Sequence, residues 1–350
     1  MSRTRELLDL LGVLEPVVLA PMAGGPGSPE LVAAVSSAGG LGTLGAAYLT
    51  PEAIAAAVDT VRAQTDRPFA VNLFAGGDEE REVDPSSMLA LLAPLHERFD
   101  IAPPRTPQRR ANPFAAQLDA VVQCDVPIVS FTFGLPNGEQ MRRLRDAGRI
   151  VVGTATTVGE ALFCEEAGCH AVCAQGAEAG AHRGTFLVPF EAAMVGTIAL
   201  VPQVCDAVTI PVIAAGGIVD RRGAAAAREL GASAVQCGTA FLDTREAGTS
   251  APHRHALAAA ADDETVITRA FSGRPARGLA NAFSRAVDAR PDAILPFPLQ
   301  NDLTQALRAA ARAANDAEYI NLWAGQAAAM ITHGRPAAEV VAELAAGFRG

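Results

Sequence analysis

Residues 146–154 read Asp146-Ala147-Gly148-Arg149-Ile150-Val151-Val152-Gly153-Thr154. A helix ends in a small residue and a glycine, and a short apolar run follows. Glycine one step past a helix end takes the left-handed cap conformation without a Cβ clash. The apolar run after it reads as a strand buried on both faces. The same phrase recurs along the chain. Ser37-Ala38-Gly39 stands before 41–45, Glu166-Ala167-Gly168 before 171–175, and Glu229-Leu230-Gly231 before 234–238. Extending the pattern gives eight strands, at 17–20, 41–45, 69–74, 128–133, 150–154, 171–175, 212–215 and 234–238. Strict alternation of eight strands with helices predicts an α/β fold, a closed (β/α)8 TIM barrel, with a doubly wound open sheet as the alternative. No G-x-G-x-x-G follows the first strand, which counts against a dinucleotide-binding Rossmann unit.

Helix starts carry their own signals. Thr50-Pro51-Glu52 supplies a cap, a first-turn proline and an acid, followed by Ile54, Val58 and Val61 on one face. Thr157 and Glu160 have the spacing of a capping box. Asp220 is placed to cap a helix over 221–230. Pro202 is expected to kink or restart the helix near 197–207. Two segments break the rhythm. Residues 75–112 are charged and Pro-rich, and residues from about 245 onward read as helical without further strands. The expected division is a barrel over 1–244 with a lid-like insertion near 75–112. Residues 245–350 then form a small helical second domain that completes the barrel exterior.

A length of 350 residues suits one barrel of about 250 residues plus insertion and tail. Half the residues are apolar, enough to bury a large core. The net charge of −10 argues against a nucleic-acid partner. Every cation is an arginine, which excludes Schiff-base chemistry and a lysine phosphate clamp. Asp9, Glu15 and Pro16 interrupt the apolar N-terminal stretch, and no run approaches the ~18 apolar residues that span a bilayer, so no secretory or membrane segment is expected. None of the six cysteines forms a C-x-x-C pair, so free thiols in a reducing cytoplasm are expected, with neither zinc nor any other metal.

Chemistry in such a barrel sits at the C-terminal ends of the strands. The first strand ends in Ala20-Pro21-Met22-Ala23-Gly24-Gly25, where small residues let a flat ring approach the backbone, or simply make a tight loop. Asn72, in Val71-Asn72-Leu73-Phe74, and Gln175, ending the sixth strand, are amides suited to the edge of a heterocycle. A satisfied core amide is the competing reading for each. The seventh and eighth strands end in Ala214-Ala215-Gly216-Gly217-Ile218 and Gln236-Cys237-Gly238-Thr239. These read as a phosphate site built from free backbone N–H groups, the Thr239 hydroxyl and a helix N-terminus after each loop. His182 lies in a Gly-rich loop, 176–184, expected to be mobile, where imidazole suits proton transfer or anion binding. Glu178 and Arg183 of that loop read as solvated charges. Phe131, Phe133 and Trp323 are open between site walls and core.

Taken together, several phrases resemble the nitronate monooxygenase family. They are Ala20-Pro21-Met22-Ala23-Gly24, Ala70-Val71-Asn72-Leu73-Phe74, Glu178-Ala179-Gly180-Ala181-His182-Arg183-Gly184, Pro211–Ile218 and Gln236-Cys237-Gly238-Thr239. Phe271-Ser272-Gly273-Arg274-Pro275-Ala276-Arg277 and Asn321-Leu322-Trp323-Ala324-Gly325-Gln326 resemble its tail. The resemblance implies FMN at the barrel mouth, contacted by Asn72, Gln175 and Gly180, with its phosphate on Gly217 and residues 236–239. It implies His182 as the catalytic histidine. The implied reaction oxidises an alkyl nitronate, such as propionate-3-nitronate, with O2 to a carbonyl compound and nitrite. The partners expected are a small-molecule substrate and O2, and a homodimer is left open. Competing readings are an NAD(P)H-dependent quinone or enoyl-thioester reductase on the same barrel, and a flavin-binding protein without turnover.

Overall fold

A computed structural model describes residues 2–76, 84–108 and 111–349. Its strands are β1 (Val17–Leu19), β2 (Gly42–Gly45), β3 (Phe69–Phe74), β4 (Ile128–Thr132), β5 (Ile150–Ala155), β6 (Ala171–Gln175), β7 (Ala181–His182), β8 (Val212–Ala215), β9 (Ala234–Cys237), β10 (Thr265–Thr268) and β11 (Ala276–Leu279). Eight of them form one parallel sheet in the order β1-β9-β8-β6-β5-β4-β3-β2. A parallel bridge from Val18 to Leu41 joins its two edges, so the sheet closes. The closing bonds are Leu19 N–H to Leu41 O and Leu41 N–H to Val17 O, both 2.9 Å. The fold is the expected (β/α)8 barrel, and each predicted barrel strand lies within a residue of its place.

Alternation along the strands explains why both faces are apolar. Val18, Ala70, Ile128, Val152 and Ala171 face one buried cluster together with Leu7 and Leu11. Their neighbours Val17, Val71, Val129, Val151 and Val172 face the helices. These inner residues lie toward the strand starts, so the helix Arg3–Leu11 plugs the N-terminal mouth. The opposite mouth is left for chemistry. No described helix is long and apolar enough to cross a membrane.

Two expectations about the rest of the chain are corrected. Residues beyond 245 are not purely helical. β10 and β11 pair antiparallel, and β11 pairs with β7, placing Ala276 opposite His182. The β-branched run Thr265-Val266-Ile267-Thr268 carried that signal. Pro202 does not restart its helix, which runs unbroken over Thr197–Ala207. Burial of Leu200, Val201, Val204 and Cys205 offsets the missing hydrogen bond. Within the 75–112 insertion, residues 77–83 and 109–110 lie outside the described residues. The helix Ser86–Arg98 packs Met88 and Leu92 against Phe271, Phe283, Leu303 and Leu307. The insertion and the C-terminal region therefore share one apolar cluster.

Candidate active site

His182 stands at the C-terminal mouth on β7, beyond the end of β6. Its Nε2 is 2.8 Å from the Ser272 hydroxyl. Ser272 Oγ also lies 3.2 Å from Arg274 O and accepts from Arg274 N–H at 3.3 Å. When the Ser272 proton is directed at Arg274 O, Nε2 is the donor and Nδ1 carries the imidazole lone pair; when it is directed at Nε2, the neutral ring carries its proton on Nδ1. Aromatic rings enclose the imidazole. Phe133, Trp323 and Phe74 have centroids 5.7, 5.9 and 6.0 Å away. Tyr48 and Phe297 extend this wall against Phe74. The Arg274 guanidinium lies over the Phe133 ring at 4.0 Å. Burial, together with the Arg274 and Arg308 charges, pushes the His182 pKa down to about 3. The ring is therefore neutral near pH 7. Of the aromatics left open by the sequence, Phe133 and Trp323 line the site, whereas Phe131 is buried against Phe114.

The loop carrying His182 is held, contrary to the expectation of mobility. Gln175 spends its amide on it, with Nε2 donating to His182 O at 3.0 Å and Oε1 accepting from Gly184 N–H at 2.8 Å. Glu178 is not a solvated charge, since its carboxylate accepts from Thr197 N–H and Thr197 Oγ1. It caps the helix Thr197–Ala207, where an anion is favoured. Arg183 is 7 % exposed and donates to Gln175 O, Thr156 O and Ala193 O. Burial lowers its pKa to about 10, partly offset by Glu160 and Glu178. Gly180 packs so closely on the segment 324–325 that a Cβ there would stand 2.6 Å from Ala324 C.

The proposed flavin contacts converge on the same mouth. The backbone N–H groups of Gly216, Gly217, Gly238 and Thr239 donate to no acceptor among the described residues. Gly216 and Gly217 have φ of +106° and +72°, conformations a side chain would strain. Four free donors on two adjacent loops are the donor set a phosphate monoester takes. One detail differs from expectation. After β9 comes only the three-residue 3-10 turn Thr239–Phe241, while Asp220 caps the helix Arg221–Glu229 itself. The loop backbone, not two helix dipoles, supplies the cradle. A Cβ on Gly238 would lie 3.4 Å from Ala20 Cβ and 3.7 Å from Met22 Sδ, which joins the first-strand loop to this cradle. Ala23 lies against Gly45, where a Cβ would come within 2.6 Å of its N. Asn72 is 1 % exposed, and its Nδ2 donates to Ser130 Oγ and Thr132 Oγ1 at 2.9 and 3.3 Å. Only its amide oxygen is left for another partner. Gln236 is half-buried at the end of β9. Cys237 is buried in the core and its thiol pKa is raised by burial, so it offers the cradle backbone only. No group of three or more metal-ligating side chains occurs among the described residues.

The nitronate monooxygenase family model matches residues 5–347. The chain belongs to the nitronate monooxygenase family. A probable nitronate monooxygenase of Staphylococcus saprophyticus is 41 % identical over 95 % of this chain and 94 % of its own length. Among solved structures, the nitroalkane oxidase of Streptomyces ansochromogenes is 42 % identical, with a TM-score of 0.90 and 98 % of each chain covered. FabK of Thermotoga maritima is 31 % identical, with a TM-score of 0.76, covering 98 % of this chain and 96 % of its own. The protein is thus an oxidoreductase of a family of flavoenzymes that oxidise nitronates. Ser272, Arg274, Arg308, Phe74 and Phe297 were missed as site residues. Ser272 and Arg274 lie inside the family-like phrase 271–277, and Phe74 ends the phrase 70–74, so phrases could have pointed to them. Arg308 and Phe297 carry no local signal.

Proposed function

We propose that the protein oxidises alkyl nitronates, such as propionate-3-nitronate, with O2 to a carbonyl compound and nitrite, using FMN. The observation that carries this reading is the neutral His182, walled by aromatic rings and placed in the positive field of Arg274 and Arg308. An imidazole with a pKa near 3 is a weak base. It removes the proton of a neutral nitroalkane slowly, so turnover of the neutral form depends on His182 as base, whereas turnover of a nitronate needs it only for orientation. A nitronate has already lost that proton, and the two guanidinium charges favour its anion over the neutral form. Neutral His182 then orients the anion without repelling or neutralising it. The aromatic wall excludes water from the reacting end and accepts the alkyl group.

FMN fits the cradle, because the free donors of Gly216, Gly217, Gly238 and Thr239 match one phosphate group and no dinucleotide fingerprint accompanies them. When bound, it supplies the electron-transfer chemistry that no side chain here can perform. Asn72 and Gly180 are the contacts proposed for its ring. Gln175 acts on that ring only through the amide valences that the His182 loop leaves unused.

The test is aerobic assay of the purified flavoprotein with nitronates, with and without nicotinamide. Nitrite release and O2 uptake without NADH or NADPH are expected, because the nitronate is itself the electron donor. An NAD(P)H-dependent quinone or enoyl-thioester reductase on the same barrel is the second reading. Rapid anaerobic flavin reduction by NADH or NADPH, with no response to nitronates, would transfer the assignment to it. Absence of both responses would leave a flavin carrier.

A further inference from the structure

Glu160 is a carboxylate with no exposed surface, at the start of the helix Val158–Glu166. Its spacing from Thr157 suits a capping box, and half of that box forms, with Thr157 Oγ1 accepting from Glu160 N–H at 3.2 Å. The carboxylate does not complete the box. It turns inward and collects five donors. Oε2 accepts from Thr156 N–H at 2.6 Å and Thr156 Oγ1 at 2.5 Å. Oε1 accepts from Thr185 Oγ1 at 2.9 Å, Phe186 N–H at 2.6 Å and Leu187 N–H at 3.0 Å.

Burying a carboxylate is unfavourable unless every lone pair finds a donor. A solvated capping box would satisfy the helix without that cost. The inward turn therefore serves another element, and three of the five donors belong to the segment directly after His182-Arg183-Gly184. Thr156 connects this to the loop's other anchor, because its carbonyl accepts from Arg183 at 3.3 Å while its N–H and hydroxyl serve Glu160. Gln175 holds His182 O and Gly184 N–H from the opposite side. His182 thus sits between two clamps, one on β6 and one on a helix outside the barrel mouth.

We propose that Glu160 is a positioning residue for His182: its carboxylate pins residues 185–187 and so fixes where the imidazole meets the substrate. This rests on the functional reading of His182 given above. Misplacing a reacting group by about 1 Å can cost about 100-fold. Glu160→Gln keeps the size but presents an NH2 to donors that need an acceptor.

The experiment measures kcat/KM for a nitroalkane and for its preformed nitronate, in Glu160→Gln, His182→Asn and the double variant, with flavin content read by absorbance. Thr185→Val, which deletes one donor only, covers the case in which Glu160→Gln fails to fold. Expected is a loss of roughly 10-fold to 100-fold on the neutral form for Glu160→Gln, a smaller loss on the nitronate, and the same asymmetry, weaker, for Thr185→Val. On the His182→Asn background the asymmetric part should vanish. Equal losses on both forms, or an undiminished asymmetry in the double variant, would overturn the positioning role alone. Equal behaviour of both substrate forms in His182→Asn would overturn the His182 reading and this proposal with it.

Discussion

Two sides of the barrel mouth are built on different principles. The cradle at β8 and β9 is made of backbone, with Gly216, Gly217, Gly238 and Thr239 presenting N–H groups that no acceptor among the described residues uses. The His182 side is made of side chains fetched from far away: Ser272, Arg274, Phe297, Arg308 and Trp323 from the C-terminal region, and Glu160 from behind β5. A backbone cradle needs only small residues at the right place in a loop. A side-chain site needs long-range packing to bring its members together. The first side should therefore respond to any added bulk or charge in an all-or-none way, and the second in graded, substrate-dependent ways.

The largest effect is expected at the cradle. Gly217→Asp puts a carboxylate beside the free N–H groups and against Glu178 Cβ, 3.4 Å from the new Cβ. Purified variant protein should carry no flavin by absorbance. Full retention would show that the phosphate lies elsewhere and would break the contrast between the two sides.

Next comes His182→Asn, which should leave the flavin in place. General-base help is typically worth ~10²–10⁴-fold, and a base as weak as this one belongs toward the lower end. Neutral nitroalkanes should therefore lose about 100-fold in kcat/KM, and preformed nitronates much less. Loss of flavin from this variant would mean that the two sides are one unit.

A smaller effect is expected where the sides meet. Gly180→Ala forces its Cβ into Ala324 and Gly325, both backbone atoms at 2.6 Å. The segment 324–325 also donates to Thr239 Oγ1 through Gly325 N–H, so the clash reaches the cradle. Overpacking of this kind costs about 1–3 kcal/mol, which a lowered Tm would report together with weaker flavin binding. A wild-type Tm would show the contact to be slack.

The smallest effect is a pH dependence. The folded-state pKa of His182 is pushed down to about 3, while the unfolded chain takes up its proton near 6.5. Below about 6.5 the unfolded state binds more protons, so this contribution to stability is complete above that pH and falls as pH drops toward 3. His253, pushed down to about 4 by burial, acts with the same sign. Tm should fall from pH 7 to pH 5, and fall less in His182→Asn. An identical acid slope in the variant would place His182 in a solvated environment.

How legible each side was follows from these differences. The eight barrel strands were readable, because all eight are short apolar runs and four of them follow a helix ended by Gly39, Gly148, Gly168 or Gly231. Asp220, Thr50 and Thr157 cap the helices where the sequence placed them. Glu178 and Arg183 were misread as solvated, since nothing local says that one meets the N-terminus of a helix starting at Thr197 and the other three buried carbonyls. β10 and β11 escaped notice because a short antiparallel pair lies outside the barrel rhythm, and only its pairing with β7 gives it meaning.

What the sequence by itself determined is the barrel and the backbone cradle. Caps, glycine turns and buried parallel strands are local properties, decided by residues within one helix turn or one loop of each other. Only the tertiary structure decided the state of His182. Ser272 lies 90 residues further along the chain, and the rings and charges around the imidazole come from both ends of it. Imidazole titrates according to burial and neighbouring charge, and both exist only after the chain has packed.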